Sequence, residues 1–399
     1  MAGRRQALAA VNHTETGTGT GTGTEAGTGT GTGAGTEADA HPPLTWPGEA
    51  EELRGKLAAA ARGEAFLLHA GSGIPPGAVP RAEHITRQLT LLAQGTVVLS
   101  YALGVPVVPV AEIHAPPAEG RTGSAQAPDV HRASAMALNL IRASGGDARP
   151  EVSWAHERNR AFVASSPERA RYEPLTVRIG SALSFLHACG GRPAVLPPPA
   201  VSRAALADDS APPPPRVPGG DRWDPVGHMV WLHPSSAGDC HGPAAGAAAR
   251  ISNPVGVVVE PGTTHDAVLA LIDRLDPERS AGRLTFLTRF GADRITDLLP
   301  ELVQKVAATE AEVVWACDPW HRNRRDPAGV LAEAGAFAAL HRTLGTHAGG
   351  LHLPPYDGLS LYDGLPPRDG AAGRPGALDL VFALATHPSA RAARDGRTV

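Results

Sequence analysis

The chain has 399 residues, of which 42% are hydrophobic, so it can build one large α/β core or two smaller ones. Its formal net charge of -4 gives no general attraction to nucleic acid or to anionic membranes. We find no apolar run that could span a bilayer and no secretory signal core, so we expect a cytoplasmic protein without a nucleic-acid or membrane partner.

A Thr-Gly repeat fills residues 14–36 near the start of the chain. Glycine maximises backbone freedom, and the repeat offers no side chain for a core. We therefore predict a disordered Thr/Gly-rich tail over residues 1–41, a single barrel domain over residues 42–390, and a flexible C-terminus over residues 391–399.

Eight short apolar runs, each ending at a polar, Gly or Pro cluster, predict β-strands. They are AFLLHAG (65–71), VPVVPVAEI (105–113), RAFVASS (160–166), HMVWLHP (228–234), VGVVVEP (255–261), RLTFLTRFG (283–291), EVVWACDPWH (312–321) and GGLHLPP (349–355). Helical patterns fit between most of these runs. The alternation predicts an α/β fold, a TIM-type (β/α)8 barrel with extra N-terminal and inserted helices.

Three helical stripes are clear in the second half of the chain. Residues 264–276 carry apolar residues at helical spacing, with Thr264 as the N-cap. A second stripe begins at residue 295 and contains Pro300, which predicts a kink or a restart. Residues 330–344 form a third. The Pro-rich segment 207–221 is interpreted as a long loop within one barrel. The long stretches after the first and third predicted strands can hold additional helices.

Several ionisable residues stand near the predicted C-terminal ends of strands, where barrel enzymes place their chemistry. His69, Glu112, His114, His233 and His321 could compose a His/carboxylate site for a metal or for acid–base work. The alternative is chance, because 17 histidines will place several at strand ends.

Other reactive side chains are weaker candidates. Lys56 and Lys305 lie in helix-like stretches, so neither is placed for Schiff-base chemistry. The three cysteines have no paired spacing, and Cys317 is expected in the buried core.

Dispersed segments of the chain resemble the class II, or plant-type, DAHP (3-deoxy-7-phosphoheptulonate) synthases. They are SAMALNLIRA (134–143), HMVW (228–231), NPVGV (253–257), GRLTFLTRFG (282–291), CDPWH (317–321), HRTLGTHAGGLH (341–352) and ALDLVFALA (377–385). The similarity runs from about residue 47 to residue 385. It implies a barrel that condenses phosphoenolpyruvate with erythrose 4-phosphate, the first reaction of the shikimate pathway.

The resemblance also implies a divalent metal of the Mn, Co or Mg type, held by a Cys, a His, a Glu and an Asp. The His position falls on His321 and the Asp position on Asp369. The Cys position falls on Gly73 and the Glu position on Pro354, and neither of these side chains can bind a metal.

The family's anion contacts are partly replaced. Arg289 and Arg121 are retained and are the predicted substrate-binding residues. The second-strand Arg falls on Glu112, which reverses the charge. Further family positions fall on Glu119 for a Lys, on Pro234 and Ser235 for a Glu-Arg pair, on Val258 for a Lys, and on Ser165 and Ser166 for a third-strand His-Glu pair.

Three functions stay open at this point. The chain could carry out the family condensation. It could be a divergent enzyme of specialised metabolism whose substrate is less anionic, since anion contacts are lost. It could also be a non-catalytic relative that binds a partner enzyme, and a homo-oligomer is possible in each case.

Overall fold

The computed structural model describes residues 42–71, 80–114, 127–144, 150–192, 194–204, 222–233, 241–323, 326–354 and 376–387. The predicted Thr/Gly tail, the Pro-rich segment 207–221 and the C-terminal residues 391–399 lie outside these ranges. Among the described residues, no helix has both the length and the apolar character needed to cross a membrane.

Eight strands form the centre of the fold. They are β1 Phe66–Ala70, β2 Val107–His114, β3 Ala200–Ala204, β4 Met229–Leu232, β5 Val255–Val259, β6 Leu284–Thr288, β7 Val313–Cys317 and β8 Ala348–Leu353. Each strand pairs in parallel with the next, and β8 pairs with β1, so the barrel is closed. The predicted TIM-type barrel is confirmed.

Helices cover the outside of the barrel. The described helices are α1 Pro47–Ala61, α2 Ala82–Leu103, α3 Ala127–Ser144, α4 Val152–Ser165, α5 Arg169–Ala188, α6 Pro243–Ala249, α7 His265–Leu275, α8 Ile295–Ala307, α9 Pro327–Thr343 and α10 Ala377–Ala385. Helix α1 is the extra N-terminal helix, and α3 to α5 are inserted between β2 and β3.

The third predicted strand is wrong. Residues 160–165 of RAFVASS belong to α4, whose buried residues Ala155, Asn159 and Val163 recur every four positions. The true third strand is AVSRA, only five residues long and partly polar, so its apolar signal is weak. The inserted helices consequently follow the second strand rather than the third.

Of two helix predictions, the N-cap at Thr264 is confirmed and the restart at Pro300 is wrong. Thr264 caps α7 as predicted, because its Oγ1 accepts a hydrogen bond of 3.2 Å from the backbone N–H of Ala267. The restart expected at Pro300 does not occur, since α8 is one helix from Ile295 to Ala307. Leu299, Leu302 and other buried residues on both sides of Pro300 hold this helix against the core.

Helix α1 closes the N-terminal end of the barrel. Its Leu53 and Leu57 pack in one cluster with residues of several strands, including Leu67 and Val314. Gly282 permits this close approach, because it has a φ of 75° and a side chain there would overlap the backbone of α1. Among the described residues, α1 therefore covers the end of the barrel opposite the C-terminal ends of the strands.

Candidate functional site

Polar side chains gather where the strands end. They are His69 on β1, Glu112 on β2, Ser202 on β3, His352 on β8, and, just after β4 to β7, His233, Glu260, Arg289, Asp318 and His321. A parallel barrel brings all of these C-terminal ends to one side of the fold. The apolar layer around Leu67 and Val258 separates this site from α1.

An imidazole pair, His69 and His352, forms one side of the site. The two residues are direct partners in the register of β1 and β8, so their side chains stand next to each other. Their Nδ1 atoms are 2.7 Å apart, and Nε2 of His69 is 2.9 Å from Oγ of Ser202. The ring of Trp231 stands 4.8 Å from the ring of His69, between centroids. Both nitrogens of His69 are therefore used in hydrogen bonds.

Burial keeps the imidazole pair uncharged. It lowers the pKa of His69 well below the usual value, and the charges of His352 and Arg289 lower it further. Burial also lowers the pKa of His352 to about 4, against the opposing effect of Asp318. At neutral pH both rings are therefore neutral, and one proton between the two Nδ1 atoms makes one ring the donor and the other the acceptor.

Glu112 borders the imidazole pair. Its carboxylate is buried, and it stands where the family resemblance places an arginine. Gly71 follows β1 directly and lies next to the side chains of Glu112 and His352. A Cβ at Gly71 would lie 3.4 Å from Oε2 of Glu112 and 3.4 Å from Nε2 of His352. The carboxylate of Glu112 and the imidazole of His352 are thus neighbours next to the backbone of Gly71.

A buried ion pair forms the other side of the site. Nε of Arg289 donates a 2.8 Å hydrogen bond to Oδ2 of Asp318, and the side chains are only 13% and 5% exposed. The other oxygen of Asp318 accepts from the backbone N–H of His321 at 3.2 Å. Burial alone would raise the pKa of Asp318, but the charges of His352, Arg289 and His321 outweigh it and the pKa is lowered. Asp318 therefore stays ionised and compensates the charge of Arg289.

His321 lies at the rim of the ion pair. Its Nε2 is 3.4 Å from Oε1 of Glu260, and both side chains are partly exposed. Of the four family metal positions, His321 is the one described residue with a ligating side chain; Pro354 has none, and Gly73 and Asp369 lie outside the described ranges. No group of three or more His, Cys, Asp or Glu in the described part of the chain is arranged to hold a metal. These donors alone do not complete a divalent-metal site.

Glu333 of α9 ties together the loops that follow β6 and β7. Its Oε1 accepts from the backbone N–H of Gly291 at 2.9 Å, and its Oε2 accepts from Nδ2 of Asn323 at 2.7 Å. The side chain is completely buried, and burial raises its pKa to about 7. Because these loops carry Arg289 and His321, Glu333 fixes the position of the ion-pair side.

The structure brings several of the sequence candidates together. His69 and Glu112 line the interior, and the pKa of His233 is lowered to about 3 by burial, then by the charges of Arg289 and His352. The backbone of His114 ends β2, whereas its side chain is not among those described. Arg121, Glu119, Pro234, Ser235 and Asp369 also lie outside the described ranges.

One family assignment is corrected. Ser165 and Ser166, given to a third-strand pair, lie instead at the end of α4, and Ser165 is exposed. The error follows directly from the misplaced third strand.

Several members of the site were missed by sequence reasoning. They are Ser202, Glu260, Asp318, Glu333 and His352. A signal existed for His352, because GGLHLPP places a histidine at the end of the last predicted strand. Ser202 and Glu333 had no comparable signal, since their roles depend on contacts with distant residues.

The remaining nucleophiles do not belong to the site. Lys56 and Lys305 are on helices and pair with Glu52 and Glu301 at 2.7 and 2.9 Å. Cys317 is buried as expected, and burial raises the pKa of its thiol well above the usual value. Neither lysine is desolvated enough for a Schiff base, and the thiol is held in its protonated form.

Fold and site together define a (β/α)8 barrel with an ionisable cluster at the C-terminal ends of its strands. The family model of the Class-II DAHP synthetase family matches residues 32–126 and 113–355. The chain belongs to this family.

Two relatives agree with this membership. A phospho-2-dehydro-3-deoxyheptonate aldolase of Streptomyces coelicolor is 38% identical over 361 residues, which is 79% of this chain and 80% of that protein. The phospho-2-dehydro-3-deoxyheptonate aldolase AroG of Mycolicibacterium smegmatis is 32% identical over 364 residues, 80% of this chain and 78% of that protein.

A solved structure, a truncated 3-deoxy-D-arabino-heptulosonate 7-phosphate synthase of Thermotoga maritima, has a TM-score of 0.32 at 12% identity and covers 73% of this chain and 75% of its own. The fold is established here by the barrel topology and not by this likeness.

Proposed function

We propose that this chain catalyses a condensation of the DAHP synthase type at the C-terminal end of its barrel. Family membership over most of the chain supports this reaction class. The observation that carries the proposal is the position of Arg289, a nearly buried cation beside a cluster of ionisable groups at the strand ends. Arginine in such a place binds carboxylate or phosphate groups through planar, paired hydrogen bonds.

The first candidate reaction is the family's own condensation of phosphoenolpyruvate with erythrose 4-phosphate. Arg289 would bind an anionic group of phosphoenolpyruvate, and Arg121 is the second proposed substrate contact. His321 and Asp369 are the proposed donors if a divalent ion binds. Because the described donors do not complete a metal site, no chemical step here is assigned to a metal.

A second candidate is a condensation with a less anionic substrate, and Glu112 favours it. Glu112 places a buried carboxylate where the resemblance implies an arginine, a few ångströms from His352. A carboxylate in place of an arginine disfavours binding of a phosphorylated carboxylic acid, on the order of several kcal/mol relative to the arginine. Asp318 also compensates Arg289, which reduces the attraction for anions.

A direct assay separates these candidates. The purified protein is incubated with phosphoenolpyruvate and either erythrose 4-phosphate or unphosphorylated D-erythrose, with and without added Mn²⁺, and both phosphoenolpyruvate loss and product are measured. Turnover with erythrose 4-phosphate at a rate similar to the Streptomyces coelicolor relative supports the first candidate. Faster turnover with D-erythrose supports the second. No reaction with either aldehyde, together with no bound metal, overturns the proposal and leaves the partner-binding function.

Two variants test the residues. Arg289→Ala should weaken phosphoenolpyruvate binding by at least about tenfold, because it removes a nearly buried cation at the strand ends. Arg54→Ala, at a partly exposed arginine of α1, is the matched control. Glu112→Gln should strengthen phosphoenolpyruvate binding by about fivefold, since it removes a like charge without changing the shape. Unchanged binding in Arg289→Ala would exclude this residue from the site.

Three further features are proposed, and they fit either candidate reaction. We propose a single barrel domain over residues 42–390, a cytoplasmic location, and possible assembly into a homo-oligomer. Size-exclusion chromatography with light scattering of the full chain gives the oligomeric state directly.

A further inference from the structure

Arg322 follows His321 in the loop after β7 and lies against the loop after β6. Its Nε donates a 3.1 Å hydrogen bond to the backbone carbonyl of Arg289. Its side-chain stem lies beside Gly291, since a Cβ at Gly291 would stand 3.4 Å from Cδ and 3.5 Å from Cβ of Arg322. The side chain therefore connects the ends of two paired strands at the edge of the site.

The two arginines of these loops differ in how their charges are compensated. Asp318 accepts a 2.8 Å hydrogen bond from Nε of Arg289, and both side chains are nearly buried. Arg322 is exposed and forms no ion pair with a carboxylate of the described residues, Asp293 beside Gly291 included. Because the carbonyl uses only its Nε, the two Nη groups of Arg322 remain as donors for a ligand.

Glu333 fixes the backbone that carries this side chain and the surface on which it lies. Its Oε1 accepts from the backbone N–H of Gly291 at 2.9 Å. Its Oε2 accepts at 2.7 Å from Nδ2 of Asn323, the residue after Arg322, and the same Nδ2 donates to the carbonyl of Pro319 at 2.8 Å. An ordinary surface arginine loses rotamer freedom when it binds a ligand, whereas these contacts have already restricted Arg322.

A phosphate group suits a guanidinium held in this way. A phosphate monoester carries a charge of about -1.5 to -2 near neutral pH, and its oxygens accept the paired hydrogen bonds of a guanidinium. A carboxylate can accept the same pair, but its single charge gains less Coulomb energy. The exposed position of Arg322 leaves the other phosphate oxygens in contact with water, so their hydration is kept.

We propose that Arg322 binds the phosphate group of a phosphorylated substrate at the rim of the barrel, with Glu333 as its positioning residue. The inference rests on the proposed function in taking an aldehyde phosphate as the substrate and this barrel end as its place of binding. In that reaction Arg322 holds the phosphate of erythrose 4-phosphate, and Arg289 holds an anionic group of phosphoenolpyruvate. The chain then prefers erythrose 4-phosphate to D-erythrose.

Titration of the full chain with inorganic phosphate tests the site without turnover. In nitrogen NMR of the ¹⁵N-arginine-labelled chain, the Nε–H resonance that is missing from Arg322→Ala should shift as phosphate is added. Arg322→Ala should weaken phosphate binding by at least about tenfold, because it removes the charge and both Nη donors. Arg178→Ala, at an exposed arginine of α5, is the matched control and should bind like the wild type.

Two results of this titration would overturn the proposal. They are phosphate binding to Arg322→Ala within about twofold of the wild type, and an Arg322 resonance that phosphate leaves unshifted.

Glu333→Gln separates positioning from charge. Loss of a buried negative charge would by itself strengthen phosphate binding. The glutamine amide, however, sets a donor against the N–H of Gly291 or Nδ2 of Asn323, so one loop loses its contact. We therefore expect phosphate binding about threefold weaker at pH 8, with Glu64→Gln, at an exposed carboxylate, as the control. Tighter binding in Glu333→Gln would overturn the positioning role.

Kinetics of the full chain distinguish failure of this site from failure of the proposed function. Arg322→Ala should raise KM for erythrose 4-phosphate by at least about fivefold and leave KM for D-erythrose unchanged. An unchanged KM for erythrose 4-phosphate, with intact turnover, would overturn the role of Arg322 and leave the proposed function standing. Phosphate binding that depends on Arg322, without turnover of either aldehyde, would do the reverse.

Discussion

The two sides of the site bury ionisable side chains in opposite states, one neutral and the other charged. The imidazole side, with His69, Ser202 and His352, stays neutral and relies on the direction of its hydrogen bonds. The ion-pair side, with Arg289 and Asp318, keeps its charges and compensates them within 2.8 Å. A neutral network can choose between donors and acceptors on a substrate, whereas an ion pair mainly sets the local electric field. The imidazole side is therefore sensitive to the direction of hydrogen bonds, and the ion-pair side to a change of charge.

The largest loss of stability is expected from Gly256→Ala, which changes packing and no charge. Gly256 of β5 lies under the ring of Trp231, and a Cβ there would overlap that ring. Trp231 also contacts His69, so Gly256→Ala should push the ring toward the imidazole pair. We expect a loss of more than about 3 kcal/mol in the free energy of unfolding, measured in urea. Gly335→Ala is the control and should change stability by less than about 1 kcal/mol. A small loss in Gly256→Ala would show that the imidazole side tolerates repacking.

Removing one charge should be almost as costly on the ion-pair side. Asp318→Asn leaves Arg289 nearly buried without its compensating charge. We expect a loss of about 3 kcal/mol in the free energy of unfolding. Glu52→Gln breaks the exposed pair with Lys56 and should cost less than about 1 kcal/mol. If both variants lose equally little, Arg289 is held by packing and not by charge.

The imidazole side should lose stability in acid. The pKa of His352 is about 4 in the folded chain and 6.5 in the unfolded chain, so the unfolded state binds more protons between these values. Its contribution is complete above pH 6.5 and falls by up to about 3 kcal/mol as the pH drops toward 4. Urea unfolding of the wild type and of His352→Gln over this range should show a flatter profile for the variant. His187→Gln, at an exposed histidine, should leave the profile unchanged.

Glu333 should give a pH effect no larger than that of His352, and one of opposite sign. Its pKa is about 7 in the folded chain and 4.5 in the unfolded chain, so the folded state binds more protons between these values. Stability from this group is complete below pH 4.5 and falls as the pH rises to about 7, by up to about 3 kcal/mol. Glu333→Gln should remove that decline in urea unfolding, while the exposed Glu64→Gln should not. A decline that persists in Glu333→Gln must come from another group.

Sequence patterns predicted much of the scaffold because the signals are local. Seven of the eight strands were located from apolar runs that end at Gly, Pro or polar clusters. The prediction of the third strand was wrong for two reasons. The true strand AVSRA is short and partly polar, and RAFVASS, which belongs to α4, is apolar enough to resemble a strand. The cap at Thr264 was correct for the same local reason, since it needs only a neighbour three residues away.

The site was less accessible to sequence reasoning. Replacement of family residues at Glu112 and Pro354 could be read directly from the chain. The partners of the retained residues could not, because Asp318 meets Arg289 only through the register of β6 and β7. His321 was likewise predicted without Glu260, which comes from a different strand end.

The barrel class, the family and the charge reversal at Glu112 follow from residue types and short-range spacing along the chain. The folded chain adds that His69 and His352, 283 residues apart, lie within hydrogen-bond distance, and that Ser202 contacts the same imidazole. The physical reason is closure of the barrel, which pairs the last strand with the first and places distant side chains within hydrogen-bond distance.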